Sequence, residues 1–303
     1  MTLTALMFRL MAGRGDKKRD AGLTIPENVT AHRDISYGKY GKWSLLDLYI
    51  PKDVPTPVPV IVSVHGGGWV YGTKETYVYY CSDLARRGFA VVNFSYRLAP
   101  RHKFPAALED TNEAFRWLLD NAGNYGLDLS RVFAVGDSAG AHMLGLYACL
   151  CTDPAFAARF GLRPPEGLKL RAVALNCGVY HMAPGGGRSM TSSLMRDVLP
   201  GGGTAEELER ISVLDHVTAA FPPAFIMTAS GDFLVEQAPP LVEKLHSLGV
   251  EAEYHYYGDE QRVLGHVFHC NQRLPEATQC NDDECAFFRR FADNLRSDFT
   301  AFS

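Results

Sequence analysis

An apolar run at residues 131–135 passes into Gly136-Asp137-Ser138-Ala139-Gly140, after which residues 141–151 read as a helix. A serine between two glycines at a strand-to-helix turn occupies a tight corner that lifts its Oγ above the sheet, where larger neighbours would clash. The spacing is a nucleophile signal, although Ser between two Gly is also an ordinary turn. A second element strengthens it: the apolar run 58–64 ends in His65-Gly66-Gly67-Gly68-Trp69. Consecutive glycines after a strand leave backbone N–H groups free to point into a cavity, which suits the oxygen of a tetrahedral intermediate. Together the two elements ask for acyl transfer.

The rest of the chain sets the frame. Residues 60–64 and 89–94 are continuous apolar runs of the kind found in strands buried on both faces. Residues 31–40 and 43–50, joined by Gly41-Lys42, read as an antiparallel hairpin at one edge, and the proline-rich stretch 51–59 as a surface loop. Helices are predicted over 77–87, 105–122, 235–248 and about 283–297, alternating with strands at 131–135, 170–176, 224–229 and 251–257. This alternation predicts an α/β fold: a mostly parallel twisted sheet of about eight strands, helices on both faces, and ligands beyond the strand carboxyl ends. The even spread of apolar segments over 303 residues favours one large domain, 1–303.

Two segments stand apart. Residues 180–216 break the rhythm and contain Pro184-Gly185-Gly186-Gly187 and Pro200-Gly201-Gly202-Gly203. Glycine triplets cannot hold a helix, so this insertion reads either as a small lid or as a static loop with a helix from Thr204. Residues 1–30 begin with Leu3, Leu6, Met7, Leu10 and Met11 at helical spacing and then turn basic. The order of charge and apolar residues is wrong for a secretory signal. An amphipathic helical cap packing against the body, over the mouth of the site, is expected, with interfacial membrane contact as the alternative.

A net charge of −4 and a pI near 6.2 give no reason to expect nucleic acid or stable membrane association. Seven cysteines form no C-x-x-C pair and no even-numbered framework, so reduced thiols and a cytoplasmic location are expected. Cys270, Cys280 and Cys285 lie near His266 and His269 in sequence, but their spacing fits no zinc pattern, and no metal is expected.

His65 through Trp69, Ser95-Tyr96-Arg97-Leu98-Ala99-Pro100 with Phe104-Pro105-Ala106-Ala107, and residues 128–140 together resemble the hormone-sensitive-lipase-like branch of the α/β-hydrolase superfamily. These carboxylesterases have relatives among acetyl-xylan and feruloyl esterases and arylformamidases. The resemblance covers most of residues 40–295 and implies the α/β-hydrolase fold with the chain order nucleophile, acid, histidine. On that order Asp232, on the loop after the run 225–229, is the acid; Asp215 falls in the insertion and Asp259 after the last strand. Leu264-Gly265-His266-Val267-Phe268-His269 offers two histidines; His266 fits the family's H-x-F pattern, with Val267 where glycine is usual, and His269 is the alternative.

The resemblance implies hydrolysis of short-chain acyl esters, with acetylated sugars or aryl esters as options, through an acyl-enzyme. Ser138 is the nucleophile, His266 the base and Asp232 its orienting acid, while the N–H groups of Gly67, Gly68 and Ala139 form the oxyanion hole. Trp69 and Tyr71 are candidates for the substrate pocket, and no cofactor is required. The partner is a small-molecule ester, and the sequence leaves homodimerisation open. An arylformamidase-like amide hydrolase and a non-catalytic ligand-binding receptor are the alternative functions.

Overall fold

A computed structural model of the chain describes residues 1–182 and 190–300, with side chains described as far as residue 292. Eight strands form one sheet: β1 (Val29–Ser36), β2 (Leu45–Pro51), β3 (Val58–Val64), β4 (Ala90–Phe94), β5 (Leu127–Asp137), β6 (Leu170–Asn176), β7 (Ala224–Ala229) and β8 (Ala252–Tyr257). Their order is β1-β2-β4-β3-β5-β6-β7-β8, with β1 and β2 antiparallel at one edge and parallel pairing from β4 through β8.

The described helices are α1 (Leu3–Asp20), α2 (Val78–Ala85), α3 (Ala106–Tyr125), α4 (Ala139–Thr152), α5 (Pro154–Ala158), α6 (Met190–Val198), α7 (Ala205–Arg210), α8 (Val213–His216), α9 (Ala238–Ser247) and α10 (Pro275–Thr300). Strand side chains alternate between two apolar layers. Val60, Val62 and Val64 join Leu118 of α3, Leu144 of α4 and Leu241 of α9. Ile61, Phe133, Phe225 and Met227 face Tyr80 and Leu84 of α2 and Phe288 of α10. Each fully buried side chain of this size contributes roughly 1.5–3 kcal/mol, so burial on both sides fixes the central strands.

Several boundaries differ from the sequence reading. The edge strand stops at Ser36, and Gly41–Ser44 forms a 3-10 turn before β2. Helix α10 starts at Pro275, eight residues ahead of its predicted start at 283. Helix α3 runs on to Tyr125 and ends at Gly126, whose left-handed φ of 64° and N–H bond to Ala122 O terminate it. The first glycine triplet and Arg188 lie outside the described residues. The rest of the 180–216 insertion folds into α6, α7 and α8, with Leu194, Met195, Val198 and Leu199 buried.

The N-terminal helix departs most. Its apolar positions were expected to pack on the body; instead Leu3, Leu6, Met7, Leu10 and Met11 face outward, and only Ala5 is buried. The inner face is mostly polar, with Ala5 and Phe8 its apolar contacts. Arg9 donates to Val70 O and Ala99 O, Asp16 accepts from Tyr71 Oη, and Arg19 donates to Thr76 O. Gly13 lies over the Tyr71 ring, where a Cβ would make ordinary contact at 3.6 Å.

Candidate active site

Strand β5 ends at Asp137 and α4 begins at Ala139, leaving Ser138 alone at the corner with φ 52° and ψ −118°. Such a conformation costs a non-glycine residue roughly 1–3 kcal/mol and persists only where its surroundings over-determine it. Here Ser138 N–H donates to Asn176 O at 2.8 Å, and Ser138 O accepts from His142 N at 3.1 Å. The flanking glycines are steric requirements: a Cβ on Gly136 would lie 2.6 Å from Gly140 O, and one on Gly140 only 2.0 Å from Val64 O.

Two loops bring partners to this corner. His266 Nε2 lies 2.9 Å from Ser138 Oγ, and His266 Nδ1 lies 2.7 Å from Asp232 Oδ1. With the Nδ1–H tautomer, His266 donates to the carboxylate and Nε2 accepts from the serine hydroxyl. Asp232 also accepts from Leu234 N at 2.9 Å and Thr228 Oγ1 at 2.9 Å. Burial alone would raise the Asp232 pKa, but the hydrogen bond and charge of His266 outweigh it, and the carboxyl is held below its ordinary range. The Phe233 ring lies 4.3 Å from that of His266.

The other candidates lie elsewhere. His269 is fully buried beside Cys270 Sγ at 3.6 Å, and burial lowers its pKa to about 3. Asp215 faces His181 at 3.5 Å, and Asp259 caps its own loop by accepting from Gln261 N and Arg262 N. Val267, where the sequence departs from the family's glycine, adopts the left-handed φ of 52°. A β-branched residue is a genuine outlier there, so the chain accepts local strain to aim His266.

The glycine loop follows β3. Gly67 and Gly68 have φ of 115° and 58°, and their N–H groups, like that of Ala139, have no acceptor among the described residues. A Cβ on Gly68 would lie 3.1 Å from Leu194 Cδ1 and 3.3 Å from the Phe8 ring, so α1 and α6 roof this loop. His65 is buried, its Nδ1–H donates to Gly66 O at 2.7 Å, and its ring stacks on Tyr96 at 3.9 Å. Trp69 is buried, and its Nε1–H donates to His142 Nδ1 at 3.2 Å; Tyr71 is half-buried, with its hydroxyl on Asp16. His142 in turn donates from Nε2 to Ile211 O at 2.8 Å, tying α4 to the insertion.

Sequence reasoning passed over the groups behind the corner. Tyr77 Oη accepts from Gly66 N at 2.9 Å and donates to Asp137 Oδ2 at 2.6 Å. Burial pushes the Asp137 carboxyl up to about 6, against the lowering effect of the Tyr77 hydrogen bond. Glu284 of α10 is likewise buried, accepts from Asn176 Nδ2 at 2.6 Å and Tyr80 Oη at 3.1 Å, and is pushed up to about 7 by burial. A GDSAG signature hints at Asp137, but nothing in the sequence pairs residue 284 with residue 176.

Two groups among the described residues gather three possible metal ligands within 4.8 Å: Asp137, His269 and Cys270, and Cys177, Asp232 and His266. Both are engaged otherwise. Burial raises the thiols of Cys177 and Cys270 well above their ordinary range, which disfavours the thiolate a metal needs. The carboxylates already accept from Tyr77 and His266.

Comparison with known proteins finds esterases among the chain's relatives. Esterase LipC of Mycobacterium tuberculosis (strain ATCC 25618 / H37Rv) is 31% identical over 216 residues, covering 67% of this chain and 52% of that protein. The probable carboxylic ester hydrolase LipM of the same strain is 30% identical over 264 residues, 82% of this chain and 60% of that protein. The chain thus spans about half to three fifths of the length of these two curated relatives. Carboxylesterase NlhH of M. tuberculosis (strain CDC 1551 / Oshkosh) is 32% identical over 247 residues, 76% of this chain and 73% of that protein. The crystal structure of esterase B from Lactobacillus rhamnosis inhibited by a C4-C4 tributyrin phosphonate superposes with a TM-score of 0.88 at 25% identity, covering 98% of this chain and 96% of that one. Residues 61–269 match the family described as alpha/beta hydrolase fold, and on that match and these relatives the chain belongs to this family, in its hormone-sensitive-lipase-like branch.

Proposed function

We propose that the protein is a serine carboxylesterase acting on short-chain acyl esters of small molecules. The carrying observation is the unbroken chain from Ser138 Oγ through His266, 2.9 Å on one side of the imidazole and 2.7 Å on the other, to Asp232. Ser138 Oγ attacks the ester carbonyl as His266 Nε2 takes its proton, and Asp232 stabilises the imidazolium formed. The carbonyl oxygen becomes an oxyanion facing the N–H groups of Gly67, Gly68 and Ala139, at the positive end of the α4 dipole. Collapse of the intermediate expels the alcohol, which takes the proton from His266, and leaves an acyl-serine. Water, deprotonated by His266, then releases the acid.

The short-chain preference rests on the roof: Phe8 and Leu194 come so close to the glycine loop that even a Cβ on Gly68 would lie 3.1 to 3.3 Å from them. Esterase B is inhibited by C4-C4 and C6-C4 compounds, which are short chains. A cytoplasmic setting is the reading that the seven unpaired cysteines support. Hydrolysis of p-nitrophenyl esters from acetyl to palmitoyl, run beside N-formylkynurenine, tests the proposal. Activity rising steadily towards palmitoyl, or confined to the formamide, would refute it.

A further inference from the structure

The outward face of α1 is unlike the rest of the surface. Leu3, Leu6, Met7, Leu10 and Met11 are 72%, 42%, 54%, 55% and 69% exposed. Scattered exposed apolar residues need no explanation, but five at i, i+3 and i+4 spacing make one continuous stripe. Arg14, Lys17 and Lys18 extend the same stripe for the last turns and are exposed. Among the described residues none of the three pairs with a carboxylate: the acids of the helix, Asp16 and Asp20, are engaged by Arg19. The chain's net charge of −4 therefore conceals a local cationic surface directly continuous with an apolar one.

That sequence of groups along one face fits a single kind of partner. An anionic bilayer offers an apolar interior below a layer of phosphates, and a helix lying at its surface gains from burying side chains at the acyl boundary and from cations at the headgroups. We propose that α1 docks the protein reversibly on anionic lipid bilayers, with Leu3, Leu6, Met7, Leu10 and Met11 entering the headgroup–acyl boundary and Arg14, Lys17 and Lys18 at the phosphates. Docking is peripheral, since no described helix is long and apolar enough to cross a membrane. The same helix places Phe8, on its other face, against the glycine loop, so the bilayer would lie beside the roof of the site. The proposal does not rest on the esterase reading, because binding is read without turnover.

Flotation of the full chain with vesicles tests it. The protein should rise with vesicles of phosphatidylcholine and phosphatidylglycerol in equal parts, far less with phosphatidylcholine alone, and less at high salt. Lys17→Glu with Lys18→Glu should lower the partition coefficient on anionic vesicles about thirtyfold or more, from the usual contribution of each lysine near such a surface. Leu10→Ser with Met11→Ser should lower it on the same vesicles, while both double variants keep wild-type turnover of p-nitrophenyl acetate. Failure of the wild type to float with anionic vesicles would overturn the proposal, as would floating unaltered by either pair. Self-association abolished by Leu10→Ser with Met11→Ser, in a protein that ignores vesicles, would assign the stripe to a second copy instead.

Discussion

The hydroxyl of Tyr77 donates to Asp137 Oδ2 at 2.6 Å while accepting from Gly66 N at 2.9 Å, so one side chain joins the glycine loop to the residue before the nucleophile. Both anchors are buried, and neither has water to fall back on. The spacing between the amides of the loop and the serine corner is thereby set by a phenol at the end of the 3-10 turn Lys74–Tyr77, just ahead of α2.

Tyr77→Phe removes that link while keeping the ring. It leaves Gly66 N–H and the Asp137 carboxyl without a partner, which costs about 1–3 kcal/mol of stability. Turnover should fall about tenfold with little change in KM, since the loop's amides act on charge present only in the transition state. Steady-state kinetics beside urea unfolding separates the two effects; a variant with wild-type kcat would sever the loop's position from Tyr77.

Ser138→Ala should lower kcat about ten-thousandfold or more, and Asp232→Asn by about the same factor through loss of the correct imidazole tautomer. Ser138→Ala keeps the Cβ and the corner, so its melting temperature should stay near that of the wild type. Thermal melts and p-nitrophenyl acetate turnover check both; residual activity near wild type in either variant would displace these residues from their assigned roles.

Leu194→Ala opens the roof over Gly68. Leu194 is 2% exposed, so its truncation should cost about 2–5 kcal/mol of stability. The same variant should shift the preferred acyl chain of a p-nitrophenyl ester series to greater length. An unchanged chain-length profile would place the acyl group away from α6.

Glu284 gives a pH signature. Burial raises its carboxyl from 4.5 to about 7 in the folded protein, so the fold holds a proton that the unfolded chain releases. Its contribution is complete below the unfolded value and is lost as pH rises through the folded one. Glu284→Gln keeps the neutral shape, so wild-type stability relative to the variant should drop by up to about 3 kcal/mol between about pH 4 and pH 8. Urea midpoints of the two proteins across that range measure the difference, and a constant gap would show that residue 284 does not titrate in this window. Comparing the pair also cancels the opposite slope of His65 and His142, whose pKa values burial lowers to about 4.

Much of the frame was legible from local pattern. Val60, Ile61 and Val62 announce a doubly covered strand by composition, and Gly136 and Gly140 announce the corner by sterics. Tyr77 and Glu284 were not legible, because a tyrosine or glutamate in a helical run reads as packing or solvated surface until a distant residue meets it. The choice between His266 and His269 depended on the backbone at Val267, whose left-handed turn no propensity favours. In α1 the helical spacing of Leu3, Leu6, Met7, Leu10 and Met11 marks one face but not the side that meets the body, which carries Ala5, Phe8 and Arg9, the last on Val70 O and Ala99 O.

The mostly polar inner face of α1 has a dynamic consequence. Ala5 is its only buried residue and Phe8 its other apolar contact, and the rest of its hold on the domain is guanidinium and carboxylate contacts, so peeling it off uncovers little of the core. Its amides should therefore exchange with deuterium by local detachment, well ahead of the strands beneath, and the ceiling above Gly68 can lift while the sheet stays intact.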